Sequence, residues 1–136
     1  KMKRNRNRNI CIIDDDPIFV FGTKRMMTQI NFCNEIYVFK NGQEAIMGLT
    51  KMLEEEILLP SVIFLDLNMP IMNGWEFLDD FIKIPNSKRD HVTVFIVSSS
   101  IDPRDMERVK TYGAVNKFLV KPVTPKDLQI AIQEVA

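Results

Sequence analysis

The chain contains one histidine, His91, and two cysteines, Cys11 and Cys33, with no CxxC pair. The usual zinc spacings are therefore excluded, and nothing asks for a disulfide. No apolar run approaches the roughly 20 residues that span a bilayer, and no apolar-centred signal is present. A membrane partner is not expected, and the cytoplasm is the expected compartment. Net charge is also lacking: 18 basic residues balance 18 acidic ones. What remains is ordinary for one globular domain, 136 residues with 46% hydrophobic and 26% charged side chains.

The balanced charge is unevenly spread. Lys1, Lys3, Arg4, Arg6 and Arg8 fall in the first eight residues, which leaves 13 basic against 18 acidic residues, net −5, in the rest. No aromatic interleaves with those cations, so residues 1–8 read as a disordered, solvated tail rather than a nucleic-acid arm. Direct nucleic-acid binding is not expected. The domain itself is residues 9–136.

The stretch from Ser61 to Asn73 organises that domain. Val62 to Leu65 is a short apolar run rich in β-branched and aromatic residues, which suits a strand buried on both faces of a parallel sheet. It stops at Asp66, and Met69-Pro70 and Asn73-Gly74 follow as a loop. Four other strands are expected at Asn9–Ile13, Glu35–Phe39, His91–Val97 and Lys117–Val120. Helices are expected between them and after the last. The first starts at Asp16-Pro17, with Asp16 as N-cap, and runs to about Gln29. The second opens at Asn41-Gly42. The third runs from Gly74 to about Ile82 with Trp75, Leu78 and Ile82 inward. A fourth starts at Asp102-Pro103 and ends at Gly113. A fifth starts at Thr124-Pro125, with Asp127 in capping-box position. Pro85 to Asp90 reads as a polar loop. Five strands alternating with five helices imply right-handed crossovers and one parallel sheet covered on both faces, an α/β fold.

Parallel strands send their carboxyl ends to one edge, where open α/β sheets bind ligands. There the sequence brings together Asp14, Asp15 and Asp16 after strand one, Asp66 and Asn68 after strand three, Ser98 to Ser100 after strand four, and Lys121 after strand five. Taken singly, Asp16 is a cap, Asp15 a turn residue, Ser98 a loop residue and Lys121 a surface charge. Together they form a restrictive set. Crowded carboxylates repel unless a cation sits among them. Oxygen-only ligands favour a hard ion, Mg²⁺ best. A metal with Lys121 can offset a phosphoryl group on Asp66, since a carboxylate can act as nucleophile and form an aspartyl-phosphate. The Ser98 hydroxyl could then donate to the attached group.

The segments Ile-Ile-Asp-Asp-Asp-Pro, Phe-Leu-Asp-Leu-Asn-Met-Pro-Ile-Met-Asn-Gly, Phe-Ile-Val-Ser-Ser-Ser and Phe-Leu-Val-Lys-Pro resemble those of response-regulator receiver domains. The resemblance covers about Asn9 to the end. It implies the flavodoxin-like (βα)5 three-layer sandwich with strand order 2-1-3-4-5, an order for which this family is itself a standard example. It implies that Asp66 accepts the phosphoryl group, and that Asp14, Asp15, Asp66 and the Asn68 backbone carbonyl hold Mg²⁺ or Mn²⁺. It makes Ser98 the switch hydroxyl, Lys121 the phosphoryl contact and Phe118 the switch aromatic, with a cis Lys121-Pro122 bond. The implied partners are a sensor histidine kinase or phosphotransfer protein, and a downstream protein that reads the face of helix four, strand five and helix five. Such a domain is a phosphoryl acceptor rather than an enzyme, with at most self-catalysed phosphorylation and autodephosphorylation. Two departures stand out: a long loop from Ile84 to Asp90, and one extra residue between Gly113 and Lys121. Phe118 also lacks a hydroxyl.

Other classes fit less well. An aspartate-nucleophile phosphohydrolase needs an acid where Asn68 stands. An FMN carrier needs a neutral, Gly-rich loop where three acids stand. A degenerate receiver, acting only through protein contacts, would not need the complete residue set.

Overall fold

The computed structural model describes residues 8–100 and 102–135. Its elements are β1 (Asn9–Ile13), α1 (Pro17–Gln29), β2 (Glu35–Phe39), α2 (Gly42–Glu54), β3 (Val62–Asp66), α3 (Gly74–Phe81), α4 (Asn86–Arg89), β4 (Thr93–Ser98), α5 (Pro103–Val109), β5 (Val115–Val120) and α6 (Pro125–Val135). Every strand pairing is parallel, in the order β2-β1-β3-β4-β5. This is the flavodoxin-like arrangement implied by the sequence. Of the basic tail, Lys1, Lys3, Arg4 and Arg6 lie outside the described residues. Arg8 is held, with its guanidinium donating to the Phe32 carbonyl at 3.0 Å and stacked over that ring.

Period-two alternation divides the strands between two cores. Cys11, Ile13, Ile63, Leu65, Val94 and Ile96 face one side and meet Ala45, Leu49 and Met52 of α2, Phe77, Leu78 and Phe81 of α3, and Val109 of α5. Ile10, Ile12, Val62, Phe64, Phe95 and Val97 face the other and meet Met27 of α1 with Leu128 and Ala131 of α6. Residues on alternate positions must point to opposite faces, so a strand buried on both reads as an unbroken apolar run. Each fully buried Phe in these layers contributes roughly 2–3 kcal/mol.

Five local expectations change. The inward stripe of α3 is Phe77, Leu78 and Phe81, a spacing of i, i+1 and i+4, while Ile82 is its exposed C-cap and Trp75 is half-buried. The Pro85–Asp90 stretch contains the four-residue helix α4, because Arg89 ties it down by donating to the carbonyls of Ile84 and Ile82. The Asp102-Pro103 helix ends at Val109 rather than Gly113. Its last turn tightens into i→i−3 bonds as far as Tyr112, and Gly113 does not adopt positive φ. The fourth strand begins at Thr93 and ends at Ser98, and the fifth begins two residues earlier than expected, at Val115.

The extra residue before Lys121 forms a bulge. Val94 pairs with Val115, but Phe95 pairs with Lys117, leaving Asn116 unmatched. Bulges are uncommon in parallel pairs, and this one sets the phase of the strand. Beyond it Phe118 pairs with Ile96 and faces the α2–α3–α5 core, while Leu119 pairs with Val97 and faces the other. A continuous register would have exchanged the two faces. The irregularity is thus confined to Val115–Lys117, and the strand reaches Lys121 in phase.

Candidate functional site

The acidic end of β1 is held by its own backbone. The Asp14 N–H donates to the Phe39 carbonyl at 3.0 Å, which keeps the chain beside β2 for one more residue. Asp14 Oδ1 accepts from the Asp16 N–H at 2.9 Å, and Asp16 Oδ1 accepts from the Ile18 N–H at 3.0 Å. Asp16 therefore caps α1, with Pro17 at its first position. Asp14 is buried and Asp15 is exposed at the same rim.

Asp66 ends β3 and is buried, its Oδ1 accepting from the Asn68 N–H at 3.3 Å. The exposed Asn68 stands two residues further along the loop. That loop folds back on the strand end. Gly74 donates to the Leu67 carbonyl at 3.0 Å, and a Cβ on it would lie 2.6 Å from the Asp66 carbonyl oxygen. Only glycine permits this approach. An Asn73–Glu76 capping box then starts α3.

Lys121 reaches the rim from β5. Its N–H donates to the Ser98 carbonyl at 2.8 Å, and its bond to Pro122 is cis, as the resemblance implied. Its ammonium lies 2.8 Å from Asp14 Oδ2, 4.0 Å from Asp66 Oδ2 and 4.5 Å from the centre of the Phe19 ring. The closest contact is a charge-assisted ion pair that ties Lys121 to the buried Asp14 carboxylate. Ligand oxygens of Asp14, Asp15 and Asp66 all fall within 4.8 Å of one another.

Burial dominates the electrostatics. It pushes Asp66 up to about 6, with the Asp14 charge adding to the rise and Lys121 and the Asn68 N–H opposing it. Burial also raises Asp14, against the pull of Lys121 and the Asp16 N–H. Two carboxylates that ionise reluctantly beside one ammonium make a site short of positive charge.

The remaining expected residues are nearby but otherwise engaged. Ser98 is buried at the end of β4, its hydroxyl donating to the Ser100 carbonyl at 2.7 Å. Phe118 is half-buried against the α2–α3–α5 core. The sequence pattern did not single out Phe19, beneath the Lys121 ammonium, or the close approach of Gly74. The signal for Phe19 was its place in the first turn of the helix that springs from the acidic strand end. For Gly74 it was its place at the start of α3, just beyond the Asp66 loop.

Comparison with known proteins agrees with this geometry. A family model described as the response regulator receiver domain matches residues 10–133. The crystal structure of a two component response regulator from Cytophaga hutchinsonii superposes with a TM-score of 0.87 at 29% identity, covering 98% of each chain. A two-component response regulator from Legionella pneumophila superposes with a TM-score of 0.78 at 25% identity, covering 93% of this chain and 98% of that one. The nitrate/nitrite response regulator protein NarL of Escherichia coli (strain K12) is 32% identical over 135 residues, 99% of this chain but 57% of NarL. The chain thus spans little more than half the length of that relative. With the sheet order, the acidic rim and the family match in accord, the chain belongs to the response regulator receiver domains, the phosphorylatable receivers of two-component signalling.

Proposed function

We propose that Asp66 accepts the phosphoryl group, and that Asp14, Asp15, Asp66 and the Asn68 backbone carbonyl hold Mg²⁺ or Mn²⁺. The observation that carries this reading is the close set of three carboxylates, two of them buried, whose ligand oxygens lie within 4.8 Å of one another beside a single ammonium. An all-oxygen donor set of this kind fits a hard divalent ion. When bound, the ion neutralises carboxylate charge and stabilises the charge on the phosphoryl oxygens.

The chain's own groups do the rest. A carboxylate oxygen of Asp66 attacks phosphorus, and the bond from phosphorus to the donor's leaving atom breaks, the leaving group keeping the electron pair. Lys121 follows the new negative charge from Asp14 toward the phosphoryl oxygens, a short move from its present position. Ser98 exchanges the Ser100 carbonyl for a phosphoryl oxygen. Phe118 turns inward behind it and remodels the face of α5, β5 and α6, which a downstream protein reads. The phosphodonor is a sensor histidine kinase or phosphotransfer protein of the cytoplasm. The domain accepts and loses the group without turning over a pool of substrate, and it makes no direct contact with nucleic acid.

Intact mass after treatment with Mg²⁺ and acetyl phosphate tests the assignment. The parent gains one phosphoryl mass and releases acetate, and Asp66→Asn gains none. An unmodified parent, under conditions that label a control receiver, would leave this domain as a protein-interaction module only.

A further inference from the structure

We infer that Phe19 is a positioning residue for Lys121: its ring seats the ammonium between the two buried carboxylates and thereby sets the rate at which Asp66 is phosphorylated. The inference rests on the reading of Asp66 as acceptor and Lys121 as its cationic partner.

A lysine ammonium on a four-carbon stem ordinarily snorkels to water. The Lys121 side chain is only 16% exposed, and its nitrogen sits 4.5 Å from the Phe19 centroid, inside the ~6 Å reach of a cation–π contact. Asp14 holds one side of the ammonium at 2.8 Å, and the Phe19 face meets it as a second partner. Asp66, at 4.0 Å, is too distant to fix it.

Phe19 is well placed to hold a mobile cation because it is itself anchored. It lies in the first turn of α1, whose start is set by the Asp16 cap and Pro17. Its ring packs against the core cluster that includes Ile10, Ile12, Phe64 and Phe95. It therefore belongs to the rigid end of β1, which also carries Asp14, while Lys121 arrives from β5. An aromatic face attracts the cation without offering a lone pair that would occupy its N–H groups. Donors not engaged by Asp14 stay available for a phosphoryl oxygen. An aliphatic side chain would give no such attraction, and Asp14 would be left to hold the amine alone.

The competing account treats Phe19 as core packing alone, and substitutions separate the two. The readout is the intact-mass time course of the full chain with Mg²⁺ and acetyl phosphate, with thermal unfolding followed in parallel. Phe19→Leu is expected to slow modification about three- to tenfold, the effect of losing a partly desolvated cation–π contact. Phe19→Tyr keeps the aromatic face and is expected to react within twofold of the parent. On a Lys121→Met background, followed at higher acetyl phosphate, Phe19→Leu is expected to make no further difference. Parent-rate modification of Phe19→Leu overturns the inference. So does a folded Phe19→Tyr protein as slow as Phe19→Leu, or equal slowing with and without Lys121. An unmodified parent overturns the acceptor reading and this inference with it; a modified parent with any of the other three outcomes overturns the inference alone.

Discussion

The two rims of the sheet are built from the same alternation of strands and helices, yet they are finished differently. At the amino rim, neighbouring chain segments are tied by backbone bonds: Ser61 to Asn9 at 3.0 Å, Thr93 to Ser61 at 2.8 Å and Asn34 to Arg8 at 2.7 Å. His91 Nε2 meets the Leu59 carbonyl at 2.9 Å, and Arg89 gathers the carbonyls of Ile82 and Ile84. Helices α1 and α2 end there with Asn31 and Glu56 at φ 54° and 59°, each followed by the paired bonds of a Schellman turn. The carboxyl rim has two buried carboxylates with raised pKa sharing one ammonium, a glycine pressed against backbone, and Ile71 at φ 72° outside any helix cap. Strain and crowded charge gather at the rim proposed to carry the chemistry, and the opposite rim is finished with satisfied backbone bonds.

The same substitution on both rims should expose this contrast most strongly. Gly74→Ala drives a Cβ into the Asp66 carbonyl and Leu67 backbone, and is expected to cost about 2–3 kcal/mol. Gly113→Ala meets nothing within 4 Å at an unremarkable φ, and should be neutral or stabilising by up to about 1 kcal/mol. Urea unfolding of the two variants measures both; similar costs would erase the distinction between the rims.

Asp66→Asn comes next, with divalent ions chelated. The folded chain holds the Asp66 proton up to about pH 6, whereas the ordinary carboxyl value is 3.8. Between those values the folded state binds more protons than the unfolded one, so stability falls as pH rises through that window and stays low above it. The substituted amide carries no charge at any pH. The Asp66→Asn protein should therefore be more stable than the parent by about 1–2 kcal/mol at pH 8, with the gain shrinking toward pH 4. Unfolding curves across that range check it, and a gain that grows on acidification would contradict the assigned shift. Mg²⁺ should act on the same deficit. It is expected to stabilise the parent by about 1.4 kcal/mol at ten times its dissociation constant, and Asp66→Asn by distinctly less. Thermal melts with and without the ion measure this, and an equal rise in both proteins would move the ion to another site.

Much of the carboxyl rim is legible in the sequence, for a topological reason. Once apolar runs and cap-plus-proline starts establish parallel strands, whatever follows each strand must meet at one edge. Asp14, Asp15, Asp66, Ser98 and Lys121 were legible in that way. What escaped depends on side-chain reach and on register. Nothing in the periodicity of α1 says that Phe19 lies under the ammonium of a residue from β5. The sequence does not phase the α3 stripe, because Trp75 and Ile82 are as apolar as Phe77 and Phe81, yet Ile82 is exposed and Trp75 only half-buried. The extra residue before Lys121 was visible as a count, but only pairing shows that Asn116 absorbs it and restores Phe118 and Leu119 to their faces. The end of α5 was misplaced for a similar reason: Gly113 suggests a helix cap, whereas tightening of the last turn precedes it.

The smallest expected effect concerns Ile71. A β-branched side chain in the left-handed region brings Cβ close to the following carbonyl, at a cost of roughly 1–2 kcal/mol. Asn31 occupies the same region at the amino rim with a side chain suited to it and with cap bonds that offset the cost. Ile71 is 75% exposed, so replacing it removes no buried contact. Ile71→Asn should therefore raise stability by about 1 kcal/mol, read as a higher urea midpoint at unchanged slope. Asn31→Ile should lower it by a similar amount. The two changes exchange the residues of the two rims, and opposite signs are required if the backbone at position 71 is held against the preference of its own side chain.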